Sequence, residues 1–198
     1  LIVDAQYGFM PGGGLPVAGG DAIVPVINRI APRFANVVLT QDWHPADHVS
    51  FAANHPGRQP FDSIRLPYGE QVLWPTHCVQ GTRDAALHDG LRVDHAQLII
   101  RKGFRREIDS YSAFVEADRR TTTGLAAYLQ ARGIRRLFLC GLATDYCVAW
   151  SALDARAAGF SATVIEDACR AIDLEGSLAR AWADMAAAGV GRIRYDQI

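Results

Sequence analysis

Lysine is almost missing from this 198-residue chain: Lys102 is the only one among its 20 basic residues, and all the others are arginine. Cysteine is sparse too. Cys78, Cys140, Cys147 and Cys169 contain no C-x-x-C pair, which excludes a disulfide framework and leaves reduced thiols of a cytoplasmic protein as the expectation. Charge of one sign is not in excess either, since 20 basic against 21 acidic residues leave a net charge of −1. That removes the electrostatic footprint of a nucleic-acid binder or a membrane-surface protein. No apolar run approaches the roughly 18–20 residues that span a bilayer. The opening Leu1-Ile-Val-Asp carries neither a basic segment nor a long apolar one, so no secretory signal is visible.

What is present is an alternation. Short runs rich in Val, Ile, Leu and Phe read as buried parallel strands over 1–4, 36–41, 97–101, 135–141, 160–166 and 191–194. Between them lie helical stripes. Ile23, Val26, Ile27, Ile30 and Phe34 share one face, and Leu125, Tyr128, Leu129 and Arg132 share another. Two more run from Val148 to Gly159 and from Leu178 to Gly189, and three of the four stop at a glycine. The pattern predicts one α/β domain over 1–198, a parallel sheet with helices on both faces. Two stretches break it. Residues 5–20 are rich in glycine and proline, and residues 42–96 form an insertion with five prolines and all six histidines. A loop that long in a compact domain carries function. Asp4, Asp42, Lys102 and Gly141 all fall at strand ends, where open α/β sheets collect their ligands.

Several residues can do chemistry. Cys147, in Gly141-Leu-Ala-Thr-Asp-Tyr-Cys147, follows a strand and starts a helix. With Thr144 as N-cap the thiol sits at the third helical position, where the helix dipole favours a thiolate. The bland alternative is a small core residue. Asp4 caps a turn or acts as a base for a thiol, and Lys102 is a solvated strand-end cation or its partner. An arginine cannot release its proton, whereas a lysine can be tuned by burial. Asp42 and His44, with His77 returning from downstream, form a D-x-H…H set that suits Zn²⁺, Fe²⁺ or Mn²⁺, and His48 is a candidate fourth ligand. Phe9, Trp74 and Tyr111 are core aromatics or the walls of a flat pocket.

Taken together, the blocks Leu1-Ile-Val-Asp-Ala-Gln, Thr40-Gln-Asp-Trp-His-Pro, Ser50-Phe-Ala-Ala-Asn-His-Pro, Trp74-Pro-Thr-His-Cys-Val-Gln-Gly, Arg101-Lys-Gly, Glu107-Ile-Asp-Ser-Tyr-Ser-Ala-Phe and Gly141-Leu-Ala-Thr-Asp-Tyr-Cys-Val resemble, in order, the nicotinamidase/pyrazinamidase family of isochorismatase-like cysteine hydrolases. The resemblance implies a six-stranded parallel sheet in a three-layer αβα sandwich. It implies a triad of Asp4, Lys102 and Cys147, and one divalent metal, zinc first with iron or manganese as alternatives, on Asp42, His44 and His77. Phe9, Trp74, Leu142 and Tyr111 would contact a small aromatic amide, and the N–H groups of Ala143 and Cys147 would form an oxyanion hole behind a cis Leu142–Ala143 peptide. The implied reaction converts nicotinamide, and pyrazinamide, to the acid and ammonia through a thioester, in a cytoplasmic enzyme with no nucleic-acid or membrane partner that could form a homo-oligomer. One departure stands out: Gly8 occupies a position where the family commonly has an acid. Rival readings are a related hydrolase of another small amide or of a vinyl ether, an idle binding module of the same fold, and a zinc hydrolase whose metal-bound water attacks.

Overall fold

The structure is a computed structural model describing residues 1–198. Six strands form one parallel sheet: β1 (Ile2–Val3), β2 (Val38–Asp42), β5 (Leu98–Lys102), β6 (Arg136–Leu142), β7 (Ser161–Arg170) and β8 (Gly191–Ile193). Their order is β5-β2-β1-β6-β7-β8. All six expected strands form, and the helices α1 (Ile23–Ile30), α2 (Leu125–Ala131), α3 (Ala149–Ala157) and α4 (Ser177–Ala187) flank them in the expected α/β sandwich. No helix is long and apolar enough to cross a membrane.

Local sequence explains the helices. In α1, Ile23, Val24, Ile27 and Ile30 are buried, each contributing about 1.5–3 kcal/mol by leaving water. Pro25 falls in the first turn, where its missing N–H would have had no intrahelical partner. Pro32 then tightens the end into a 3₁₀ turn over Ala31–Arg33.

Two features differ from the expectation. β7 runs on to Arg170, because a register shift beside Leu139 and Gly141 lets the strand re-pair with Gly141 and Leu142. Within the 42–96 insertion, β3 (Ser63–Leu66) and β4 (Gly69–Val72) pair as an antiparallel hairpin. Its strands are four residues long and largely exposed or half-buried, so they show no apolar run.

The topology positions the site. The chain leaves β1 in one direction to reach β2 and β5, and in the other to reach β6, β7 and β8. Between β1 and β6 the winding reverses, which opens a crevice beyond the carboxyl ends of the strands. Asp4 follows β1, Asp42 ends β2, Lys102 ends β5, and Cys147 follows β6. A roomier apolar pocket opens at the other end of the strands, among Leu1, Ile27, Ile30, Leu129 and Phe138. It holds no cluster of reactive groups.

Candidate active site

Parallel pairing of β2 with β5 sets Asp42 directly beside Lys102. From that position the fully buried Lys102 ammonium donates to Asp42 Oδ1 at 2.5 Å, the Ser110 carbonyl at 3.0 Å and Cys147 Sγ at 3.2 Å. It also lies 2.8 Å from Asp4 Oδ2. Asp4 is fully buried and has φ +45°, in the left-handed region. Thr40 fixes it there: the hydroxyl donates to Asp4 Oδ1 at 2.6 Å and accepts the Asp4 N–H at 3.1 Å. Oδ2 meets the ammonium but has no other partner, so a lone pair remains for a proton. The Asp4 and Asp42 oxygens and Cys147 Sγ all lie within 4.8 Å of one another.

Burial and charge compete at each of these groups. Burial pushes the Asp4 carboxyl up; the Lys102 charge pulls it down without cancelling that, and Asp42 adds to the rise. Burial would lower Lys102, but Asp4, Asp42 and the thiol outweigh it and hold the ammonium well above its ordinary value. At Cys147 burial competes with the tendency of a helix start to favour a thiolate. Burial raises the thiol well above its ordinary value, and Lys102 offsets this only in part. The helix start also differs from the expectation. Ala143, not Thr144, is the capping residue, and Thr144–Val148 form a π-helical turn before α3. The site therefore sets a thiol and a buried carboxylate on one shared cation.

A second set of groups faces the same crevice. His44 Nε2 lies 3.5 Å and His77 Nε2 3.9 Å from Asp42 Oδ2. Both rings point their other nitrogen at a backbone carbonyl, His44 Nδ1 at Gly103 O and His77 Nδ1 at Pro75 O, each at 2.8 Å. A carbonyl only accepts, so each Nδ1 carries a proton. The neutral His77 then offers a lone pair at Nε2, whereas at His44 burial is outweighed by Asp42, which raises the ring, and its Nε2 would give up its proton on binding a cation. Burial, and then the neighbouring His44, lowers His77 to about 4, so its ring is neutral near pH 7. Two imidazole nitrogens and one carboxylate oxygen within 4.8 Å of each other fit a divalent cation. Gly103 is required beside them: its φ is +63°, and a Cβ there would lie 2.4 Å from His44 Cε1. His48 stands outside this triangle. Its Nδ1 bonds Ser50 Oγ at 2.7 Å, its Nε2 faces Ile108 O at 3.3 Å, and it groups instead with His44 and Asp109.

The isochorismatase domain model matches residues 1–196. The chain belongs to the isochorismatase family. It is 62% identical over 193 residues to a nicotinamidase of Acinetobacter baylyi, covering 98% of this chain and 90% of that one. The solved nicotinamidase/pyrazinamidase of Acinetobacter baumannii superposes with a TM-score of 0.98 at 61% identity, covering 99% of this chain and 95% of that one. A pyrazinamidase of Pyrococcus horikoshii in complex with zinc superposes with a TM-score of 0.79 at 34% identity, covering 98% and 96%.

In this isochorismatase-family chain the crevice is a small cleft, about 330 Å³ counting its open mouth. Phe9, Leu15, Trp74, Tyr111, Tyr146 and Ile172 supply its walls, with Ala143 and Cys147 on one side and Asp42, His44 and His77 on another. Trp74 is held by its indole N–H, which donates to the Tyr111 hydroxyl at 3.0 Å, and packs edge-on to Tyr146 at 4.8 Å. The Leu142–Ala143 peptide is cis. Leu142 is not among the lining side chains. It is fully buried, with Cδ1 close to Gly20, because it ends a central strand and faces the core.

Sequence reasoning missed four groups here. Tyr146 lies next to Cys147 in the same motif and carried a signal; Asp109 stands in Ile-Asp-Ser-Tyr and was overlooked beside Tyr111. Leu15 and Ile172 carried none. The contact of Lys102 with Asp42 was also unforeseen, although both residues end strands that lie side by side.

Proposed function

We propose that this chain is a nicotinamide amidohydrolase that also takes pyrazinamide, with Cys147 as nucleophile, Asp4 as proton carrier and Lys102 as the cation holding both. One observation carries the reading: a single buried ammonium touches the thiol and the Asp42 carboxylate that line an aromatic-walled cleft, and the fully buried Asp4 carboxylate as well. Its likeness to nicotinamidases over nearly the whole chain gives the substrate class.

The steps follow from the geometry. A flat pyridine ring enters between Phe9 and Trp74, with its carboxamide toward Cys147. The free lone pair of Asp4 takes the thiol proton as sulfur attacks the carboxamide carbon. A carboxyl whose affinity for protons is raised is the better acceptor, and the Lys102 charge stabilises the thiolate that results. The backbone N–H groups of Ala143 and Cys147 hold the carbonyl oxygen as it becomes negative. Asp4 returns its proton to the departing nitrogen, so ammonia leaves and a thioester remains on Sγ. Asp4 then takes a proton from water as the water adds to the thioester carbon; the acid departs and sulfur recovers the proton.

Asp42, His44 and His77 would hold a divalent ion, zinc by the donor set and by likeness to the zinc-bound pyrazinamidase. When bound, it would supply a Lewis-acidic anchor for the ring nitrogen. The competing metal-hydroxide route assigns Cys147 no chemistry, and the ammonium at 3.2 Å from its sulfur argues for the thiol route. The test is ammonia release from nicotinamide, pyrazinamide and benzamide. Turnover of the first two, with benzamide far slower for want of a ring nitrogen, supports the reading; equal rates for all three would overturn it.

A further inference from the structure

Gly8 stands where the family resemblance leads one to expect an acid, and the structure places another acid in that space. A Cβ at position 8 would lie 2.7 Å from Asp84 Oδ2 and 2.6 Å from Cys78 Sγ. The carboxylate of Asp84, from the loop after Val79, fills the room that a longer side chain at position 8 would take. It is engaged at both oxygens, accepting the Cys78 N–H at 2.6 Å and the Gly14 N–H at 3.0 Å. Its own carbonyl accepts the Gly8 N–H at 2.7 Å.

These bonds meet where the site is assembled. Cys78 directly follows His77 and has φ +46°, a conformation that a non-glycine residue holds only when its surroundings enforce it. The Cys78 carbonyl in turn accepts the His44 N–H at 3.1 Å. Gly14 packs its backbone on the same segment: a Cβ there would lie 2.4 Å from Thr76 O and 3.0 Å from His77 Cα. Phe9, the ring wall, lies between Gly8 and Gly14, and its ring is 5.4 Å from that of His77. One carboxylate thus ties the segment bearing His77 to the loop bearing Phe9.

We propose that Asp84 is the positioning residue of this centre: its carboxylate fills, from a different loop, the space a side chain at position 8 would take, and sets His77 and Phe9 relative to each other. The proposal rests on the reading that Asp42, His44 and His77 hold a divalent ion. Loss of such outer support costs about 10–100-fold in metal affinity.

The experiment moves the acid. Zinc dissociation constants are measured on the purified full chain by competition with a chromogenic chelator, and KM and kcat for nicotinamide at saturating zinc. The isosteric Asp84→Asn keeps one acceptor and loses the other, so zinc binding weakens at least about tenfold and KM rises more than kcat falls. Thermal unfolding checks that the variant is folded. Cys78→Ala/Asp84→Gly is then compared with Gly8→Asp/Cys78→Ala/Asp84→Gly, the Cys78 change relieving the 2.6 Å contact. Recovery of about fivefold or more in zinc affinity on transferring the acid is expected. The proposal is overturned if folded Asp84→Asn binds zinc within twofold of the wild type, or if the transferred acid recovers nothing. A wild type that binds no zinc would overturn the metal reading itself, before any substitution is made.

Discussion

Replacing Lys102 removes the one charge that lets two carboxylates and a thiol share a dry site. Asp4 and Asp42 present oxygens no more than 4.8 Å apart, where two anions repel by about 3–4 kcal/mol at an effective dielectric of ~20. In Lys102→Met nothing offsets this, so one carboxyl takes up a proton. Asp4, which burial already pushes up, is the one that does so, whereas Asp42 is held down by His44 as well as by Lys102. A protonated Asp4 cannot accept the thiol proton. The thiolate also loses a cation 3.2 Å away, a gross attraction of about 5 kcal/mol on the same scale. The expected loss in kcat is at least about 10³-fold, or roughly 4 kcal/mol. Lys102→Arg keeps the charge, but a planar guanidinium cannot reach four acceptors arranged around one nitrogen, so it loses at least about tenfold. The assay is steady-state nicotinamide hydrolysis at matched metal content, with the pH profile of Cys147 alkylation alongside. Lys102→Met should move that profile up by about one unit or more. Near-wild-type turnover in Lys102→Arg, with an unshifted profile in Lys102→Met, would refute the reasoning.

Three further outcomes are expected. Cys147→Ala removes a small buried atom, so it should lower stability by about 1 kcal/mol or less while abolishing hydrolysis; thermal unfolding and ammonia release check the two halves. Thr40→Val deletes the hydroxyl that holds Asp4 down. The Asp4 carboxyl then rises further, and the acid limb of kcat/KM should move to higher pH, as a pH–rate profile will reveal. His77→Ala leaves two ligands of three, so metal per chain by elemental analysis should drop well below that of the wild type, with KM rising more than kcat falls.

Much of this fold was legible because parallel strands covered on both faces read as continuous apolar runs, and each of the six announced itself that way. The hairpin over 63–72 did not, since four-residue strands open to solvent need no apolar signature. The site was legible in its residues but not in its electrostatics. Spacing put Cys147 near a helix start, yet the local turn there is π-helical and begins one residue away from the expected cap. Nothing in the sequence reports how completely the thiol is buried, and that burial is what raises it above its ordinary value against the pull of Lys102. Lys102 was singled out for its rarity and its place at a strand end. Its bond to Asp42 depends on strand register, which joins Asp4 and Cys147 to the histidine cluster through one side chain. The pairing of Asp84 with the space at Gly8 is a long-range contact, invisible until the two loops are folded together.

The central claim is that hydrolysis passes through an acyl group on Cys147, and trapping that group with hydroxylamine tests it most directly. The enzyme is run on nicotinamide and on methyl nicotinate with increasing hydroxylamine, and nicotinate and the hydroxamate are measured. A common thioester predicts hydroxamate formed at the expense of nicotinate, in the same product ratio for both substrates. Product ratios that differ between the substrates, or nicotinate formed at full rate with no hydroxamate, would contradict it and point to direct attack by water.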